Sequence, residues 1–80
     1  MTAMRKPKYP INKYDKRHDV LHVFLDSQKY STADEEFPGI YVNRNDSTDM
    51  IVGFTIMDYK ENKATAKKLY PQYNFNIASV

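Results

Sequence analysis

Apolar and polar positions alternate with a period of two through much of this chain, which is the spacing of strands with one face turned to a core. The clearest run is Val20-Leu21-His22-Val23-Phe24-Leu25, closed off by the polar stretch Asp15–Asp19 before it and by Asp26–Lys29 after it. Leu21, Val23 and Leu25 fall on one face, Val20, His22 and Phe24 on the other. Both faces are mostly apolar, so a central strand covered on each side is expected. Residues 39–43 set Ile40 and Val42 against Tyr41, and residues 50–57 set Val52, Phe54 and Ile56 against Ile51, Gly53, Thr55 and Met57. The intervening 44–49 is polar and rich in Asn and Asp, the chemistry of a hairpin loop. Gly53 in mid-strand suggests a bulge or the close approach of a neighbouring ring. Two weaker runs flank these. Residues 9–14 form a short strand whose entry is marked by Pro10, and residues 30–37 alternate loosely, become acidic and stop at Pro38-Gly39, as an edge strand does.

The period changes after Asp58. That residue reads as a helix N-cap with Glu61 in the capping-box position. Residues 59–70 suit a helix with Tyr59, Ala66, Leu69 and Tyr70 facing the core, and Pro71 stops it. Lys63, Lys67 and Lys68 in the later turns agree with the helix dipole. Beyond it, Tyr73, Phe75 and Ile77 alternate with Asn74 and Asn76, the pattern of a tail docking as an added strand. Residues 1–8 have no periodicity and read as a flexible basic leader before one domain spanning 9–80.

These elements predict an α+β fold: a small antiparallel meander of three to four strands with one C-terminal helix on one face. The strands at 20–25, 39–43 and 50–57 are joined by connections too short for parallel crossovers. Val23, Leu25, Ile40, Val42, Phe54 and Ile56 are the expected core. One helix covers one face only. The second face falls to the tail at 72–80, to the leader or to a second subunit, and a two-fold homodimer is expected if the tail does not dock.

At 80 residues the chain holds one small domain with a thin core. It has no cysteine, which removes disulfides, thiolate nucleophiles and zinc–thiolate sites. Its two glycines, Gly39 and Gly53, exclude a glycine-rich phosphate loop. Seven tyrosines and four phenylalanines supply large buried areas instead. No stretch approaches the roughly 18 apolar residues of a membrane span, and no hydrophobic secretion segment follows the basic start, so a cytoplasmic location is expected.

The net charge of +2 conceals a three-part layout. Residues 1–17 carry six bases against Asp15, residues 18–58 carry eight acids against Lys29 and Arg44, and residues 59–80 carry four lysines against Glu61. The acidic middle coincides with the strands and would repel phosphate wherever its acids face outward.

Candidate chemistry is sparse. His18 and His22 have a spacing that converges on a metal from a helix, but here they fall in a turn and a strand. Asp34 and Glu36 share a strand face, yet no nucleophile or base accompanies them, and a charged edge that discourages aggregation accounts for Asp34-Glu35-Glu36. The oxygen-rich 43–49 loop lacks the glycine and terminal glutamate of a calcium loop. Lys8, Tyr9, Lys13 and Tyr14 interleave bases with aromatics in the manner of a single-strand-binding surface. No enzyme, cofactor or metal is expected.

Residues 14–59 resemble a family of small bacterial and phage proteins catalogued only as a domain of unknown function. The resemblance is carried by Tyr14-Asp15, Asp19, Leu21-His22-Val23-Phe24-Leu25, Glu35-Glu36 with Pro38-Gly39-Ile40, Asp46 to Asp49, and Ile51 to Asp58. It implies a small antiparallel sheet with a helix on one face. Members are often encoded beside small toxins resembling ribonucleases, which implies an antitoxin-like role for some of them. The family offers no catalytic residues to carry over, and the basic leader and tyrosine-rich tail lie outside its pattern.

The expected function is a non-enzymatic module that docks a basic, toxin-like protein partner through Asp34, Glu35, Glu36, Asp46 and Asp49. The alternative is a nucleic-acid accessory protein using Arg5, Lys6, Lys8, Lys13 and Arg17 together with the lysines of 60–68.

Overall fold

In a computed structural model that describes residues 8–77, five strands precede one helix. They are β1 (Ile11–Asp15), β2 (Val20–Phe24), β3 (Ser31–Phe37), β4 (Ile40–Asn45), β5 (Ile51–Ile56) and α1 (Tyr59–Leu69). All pairings are antiparallel and the sheet order is β1-β2-β5-β4-β3. The α+β class and the single C-terminal helix agree with the sequence. The strand count does not, because the runs beside Pro10 and before Pro38 both become full edge strands.

Nor is the sheet one continuous meander. β3, β4 and β5 are consecutive hairpin partners, but β2 pairs with β5, giving the strand order of a Greek key. The chain therefore crosses the end of the sheet between β2 and β3. Polar bonds pin that crossing. The Val52 carbonyl accepts from the Leu25 and Asp26 amides and from the Gln28 side chain, while the Asp46 amide donates to the Tyr30 carbonyl at 2.8 Å. Gln28 also accepts a hydrogen bond from the Asn43 side chain.

Register explains the core. Leu21 opposes Ile56 and Val23 opposes Phe54, while Ile40 and Val42 oppose the same two β5 residues from the other side. These six form a buried patch at the sheet centre, roofed by Tyr59 and Ala66 of the helix and by Phe75. Burying apolar side chains of this size stabilises by roughly 1.5–3 kcal/mol each. Leu25, expected in the core, is only half-buried against it, and Leu69, expected as a helix contact, is 46% exposed. The register shifts between β4 and β5 where Arg44 meets Ile51. Ile51 accordingly packs on the core cluster, while Val52, grouped by alternation with Phe54 and Ile56, is buried outside that cluster.

The tail docks, but not as a strand. Residues 70–77 run irregularly over the same face as the helix, with Phe75 fully buried. Phe54 is ringed by Tyr70, Tyr73 and Phe75 at centroid distances of 5.0–5.1 Å. Tyr59 donates its hydroxyl to the Phe75 carbonyl at 2.6 Å, and the Asn12 amide donates to the Asn74 and Asn76 carbonyls. A strand needs a partner ladder, and the side chains of Asn12 and Tyr59 satisfy these carbonyls instead. The tail thus does not cover the second sheet face, where His22 and Phe24 stay half-buried. Most of the expected leader (residues 1–7) and the end of the tail (78–80) lie outside the described residues.

Candidate functional site

The acidic candidate residues gather along the β3 edge and the adjoining 46–50 turn. β3 pairs only with β4, and six of its seven residues are exposed. Tyr30, immediately before it, is 71% exposed, and Phe37 at its far end is also exposed. Asp34 opposes Val42 and Glu35 opposes Tyr41, after which a register irregularity sets Phe37 opposite Ile40.

The five carboxylates are not equivalent. Glu36 accepts the Tyr70 hydroxyl at 2.9 Å and the Arg44 Nε–H at 3.3 Å, which ties β3 to β4 and to the end of the helix. The Tyr70 hydrogen bond, with help from Arg44, holds the Glu36 carboxyl below its ordinary range. Glu35 accepts the Gly39 amide at 3.0 Å, closing the tight turn where Gly39 takes a positive φ. Asp46 accepts the Thr32 hydroxyl at 2.7 Å. Asp49 turns the chain with a φ of 61°, and its carbonyl accepts from Arg44. The Asp34 and Asp49 carboxylates take no hydrogen bond or ion pair among the described residues. Glu36 is therefore chiefly a structural clamp, and Asp34, Glu35, Asp46 and Asp49 carry the outward charge.

The basic candidates are more scattered. Arg5 and Lys6 fall outside the described residues. Lys8, Lys13 and Arg17 are all exposed. Lys13 opposes His22 in the β1–β2 register and so lies across the sheet from Tyr14, whose partner is the core residue Leu21. The geometry instead brings two helix lysines to β1. Tyr14, Tyr59, Lys60, Lys63, Asn76 and Ile77 line a cavity of about 360 Å³ between β1, the start of the helix and the tail. A smaller one of about 240 Å³ adjoins it around Pro10, Asn12, Asn74 and Asn76.

Asp19 organises this end of the molecule. Its carbonyl accepts the Tyr59 amide at 2.9 Å, and its carboxylate accepts the Lys60 amide at 3.2 Å and the Tyr14 hydroxyl at 2.6 Å. Asp58, expected to cap the helix by its side chain, takes a left-handed backbone conformation and makes no side-chain cap. The capping is done by a residue 41 positions away from Lys60 in sequence. The hydrogen bond to Asp19 pushes the Tyr14 phenol up to about 12.

The histidines do not converge. His18 pairs with Asp15 at 2.8 Å in the turn after β1, whereas His22 stacks beside Phe24 with Thr55 Oγ1 3.4 Å from its Nδ1. Among the described residues no three His, Asp or Glu side chains gather as a metal site would require. No helix among them is long and apolar enough to cross a membrane.

The Lys60-Lys63-Lys67 spacing of one helix face was readable in the sequence. The approach of Asn76 and Ile77 was not, because it follows from how the irregular tail docks. Comparisons with protein families, with curated proteins and with solved structures find no match for this chain.

Proposed function

We propose that this protein is a non-enzymatic binding module that adds a strand of a basic, toxin-like protein partner to its β3 edge. The observation that carries this reading is the edge itself: seven residues, almost all exposed, bearing Asp34 and Glu35, preceded by exposed Tyr30 and ending on exposed Phe37. An unpaired strand edge offers a row of backbone donors and acceptors to an extended segment. The acids select a basic partner and speed its approach, and the two aromatic side chains add apolar contact at the ends. An antitoxin-like role is part of the same proposal.

The test is a titration of the labelled protein with an alternating Lys/Val nonapeptide, and with a Glu/Val peptide as control, at about 50 mM and about 300 mM salt. The basic peptide is expected to shift the amides of residues 31–37, to release at high salt, and to lose affinity for a D34K/E35K variant with an otherwise native spectrum. Equal binding of both peptides, or shifts centred away from β3, would overturn the proposal.

A further inference from the structure

The cavity between β1, the start of α1 and the tail lies at the opposite sheet edge from β3 and has a chemistry of its own. Its floor is aromatic. The Tyr14 and Tyr59 rings lie 5.4 Å apart, inclined at 56°, and Ile77 adds an aliphatic wall. Such a lining favours a flat, largely apolar ring over a compact hydrated ion.

The rim is cationic. Lys60 and Lys63 stand one helical turn apart, and the Lys63 ammonium sits over the Tyr59 ring at 5.6 Å from its centroid. Neither lysine enters an ion pair among the described residues. The first helix amides are already bonded to Asp19 and Asp58, so the lysine side chains, not the amides, are what remains to receive an anion. The Asp19 carboxylate is likewise occupied, by the Tyr14 hydroxyl and the Lys60 amide.

The third wall holds an amide. Asn76 is fixed through its backbone, whose carbonyl accepts from Asn12 and whose N–H donates to the Asn74 side chain. Asn76 borders the cavity, and its side-chain amide carries both a donor and an acceptor, a pairing suited to the edge of a nucleobase. A volume of about 360 Å³ is in the range of small-ligand sites.

We propose that this cavity binds a nucleotide, with its base against Tyr14, Tyr59 and Ile77, its phosphate on Lys60 and Lys63, and Asn76 on the base edge. The shared chemistry fits a free mononucleotide or the phosphorylated end of a single strand. The adjoining cleft past Asn76 toward Pro10 gives a strand room to continue.

The experiment is a set of amide-shift titrations of the full chain with AMP, UMP, a 5′-phosphorylated tetranucleotide, adenosine and inorganic phosphate. A nucleotide or the tetranucleotide is expected to produce saturable shifts at Tyr14, Lys60, Lys63, Asn76 and Ile77. Adenosine alone and phosphate alone should bind at least about tenfold more weakly, because each uses only half the site. A K60Q/K63Q variant, which removes no fully buried side chain, should lose about tenfold or more in affinity while an N76A variant retains phosphate contact and loses base selectivity. Binding of mononucleotides identifies the free nucleotide as ligand, and binding of the tetranucleotide alone identifies a strand end. The proposal falls if none of the three phosphorylated probes gives saturable shifts by about 5 mM, if phosphate binds as well as AMP, or if K60Q/K63Q binds unchanged.

Discussion

Tyr59 joins three parts of the molecule through one side chain. Its ring is buried in the core and packs at a tilt against Tyr14, and its hydroxyl satisfies the otherwise unpaired carbonyl of Phe75 at 2.6 Å. Tyr59→Phe keeps the ring and orphans that buried carbonyl, which should cost about 1–3 kcal/mol in urea unfolding. Amide exchange of residues 73–77 should speed up with it, whereas an unchanged exchange rate would mean that Phe75 alone holds the tail. Tyr14 offers a pH-dependent counterpart. Its folded-state pKa, pushed up to about 12 by Asp19, lies above the ordinary phenol value of 10.0. Its contribution to stability is therefore complete below about pH 10 and is lost as the pH climbs through 12. The stability gap between the native chain and Tyr14→Phe should narrow across that window, as read from urea midpoints at pH 9, 10 and 11.

The helix depends on a cap supplied from the β1–β2 turn. Asp19 and Asp58 both adopt positive φ, so glycine fits the backbone at either position, and the two substitutions differ mainly in the side chain removed. Asp19→Gly deletes the acceptor of the Lys60 amide and the Tyr14 hydroxyl and should destabilise by about 1–2 kcal/mol more than Asp58→Gly. Equal losses by thermal or urea unfolding would contradict the assignment of the cap. A sequence cannot reveal a cap of this kind, because local spacing points to Asp58 and the bond to Asp19 exists only once β2, β5 and the helix are assembled. The strands were far more legible, since alternation at 20–25, 39–43 and 50–57 follows directly from burial on one face. Alternation failed at Val52, where the bulge inserts a residue, although Gly53 had signalled it. There the close neighbours are the Val23 carbonyl and the Gln28 side chain rather than a ring, and a Cβ on Gly53 would approach that carbonyl to 2.7 Å. Gly53→Ala should accordingly cost about 1–3 kcal/mol in urea unfolding. The β3 edge was legible as acid, but the diversion of Glu36 to Arg44 and Tyr70 was not, because Tyr70 comes from 34 residues downstream.

At the scale of the whole molecule, sheet order turns a charge pattern along the chain into a charge pattern across space. β1 and β3 are the two edges, separated by the four interstrand steps of a five-stranded sheet. At about 4.8 Å per step they lie roughly 19 Å apart. The acids of residues 34–49 gather at one edge, while Lys13, Lys16, Arg17 and the lysines at the start of the helix gather at the other. That separation exceeds the Debye length of about 8 Å at physiological ionic strength, so a ligand at one edge is electrostatically screened from a ligand at the other. Among the described residues the sheet between them consists of β2, β5 and β4, hydrogen-bonded around the buried core, and the helix reaches β3 through the Tyr70–Glu36 hydrogen bond, which involves neither Asp34 nor Glu35. The two proposed sites should therefore act independently. In physiological salt the affinity of the alternating Lys/Val peptide should change by less than about twofold when AMP is present at saturation. K60Q/K63Q should bind that peptide as the native chain does, and D34K/E35K should bind AMP unchanged. Reciprocal coupling larger than this, measured by either titration, would mean that the sheet, or the helix tied to Glu36 through Tyr70, carries a change from one edge to the other.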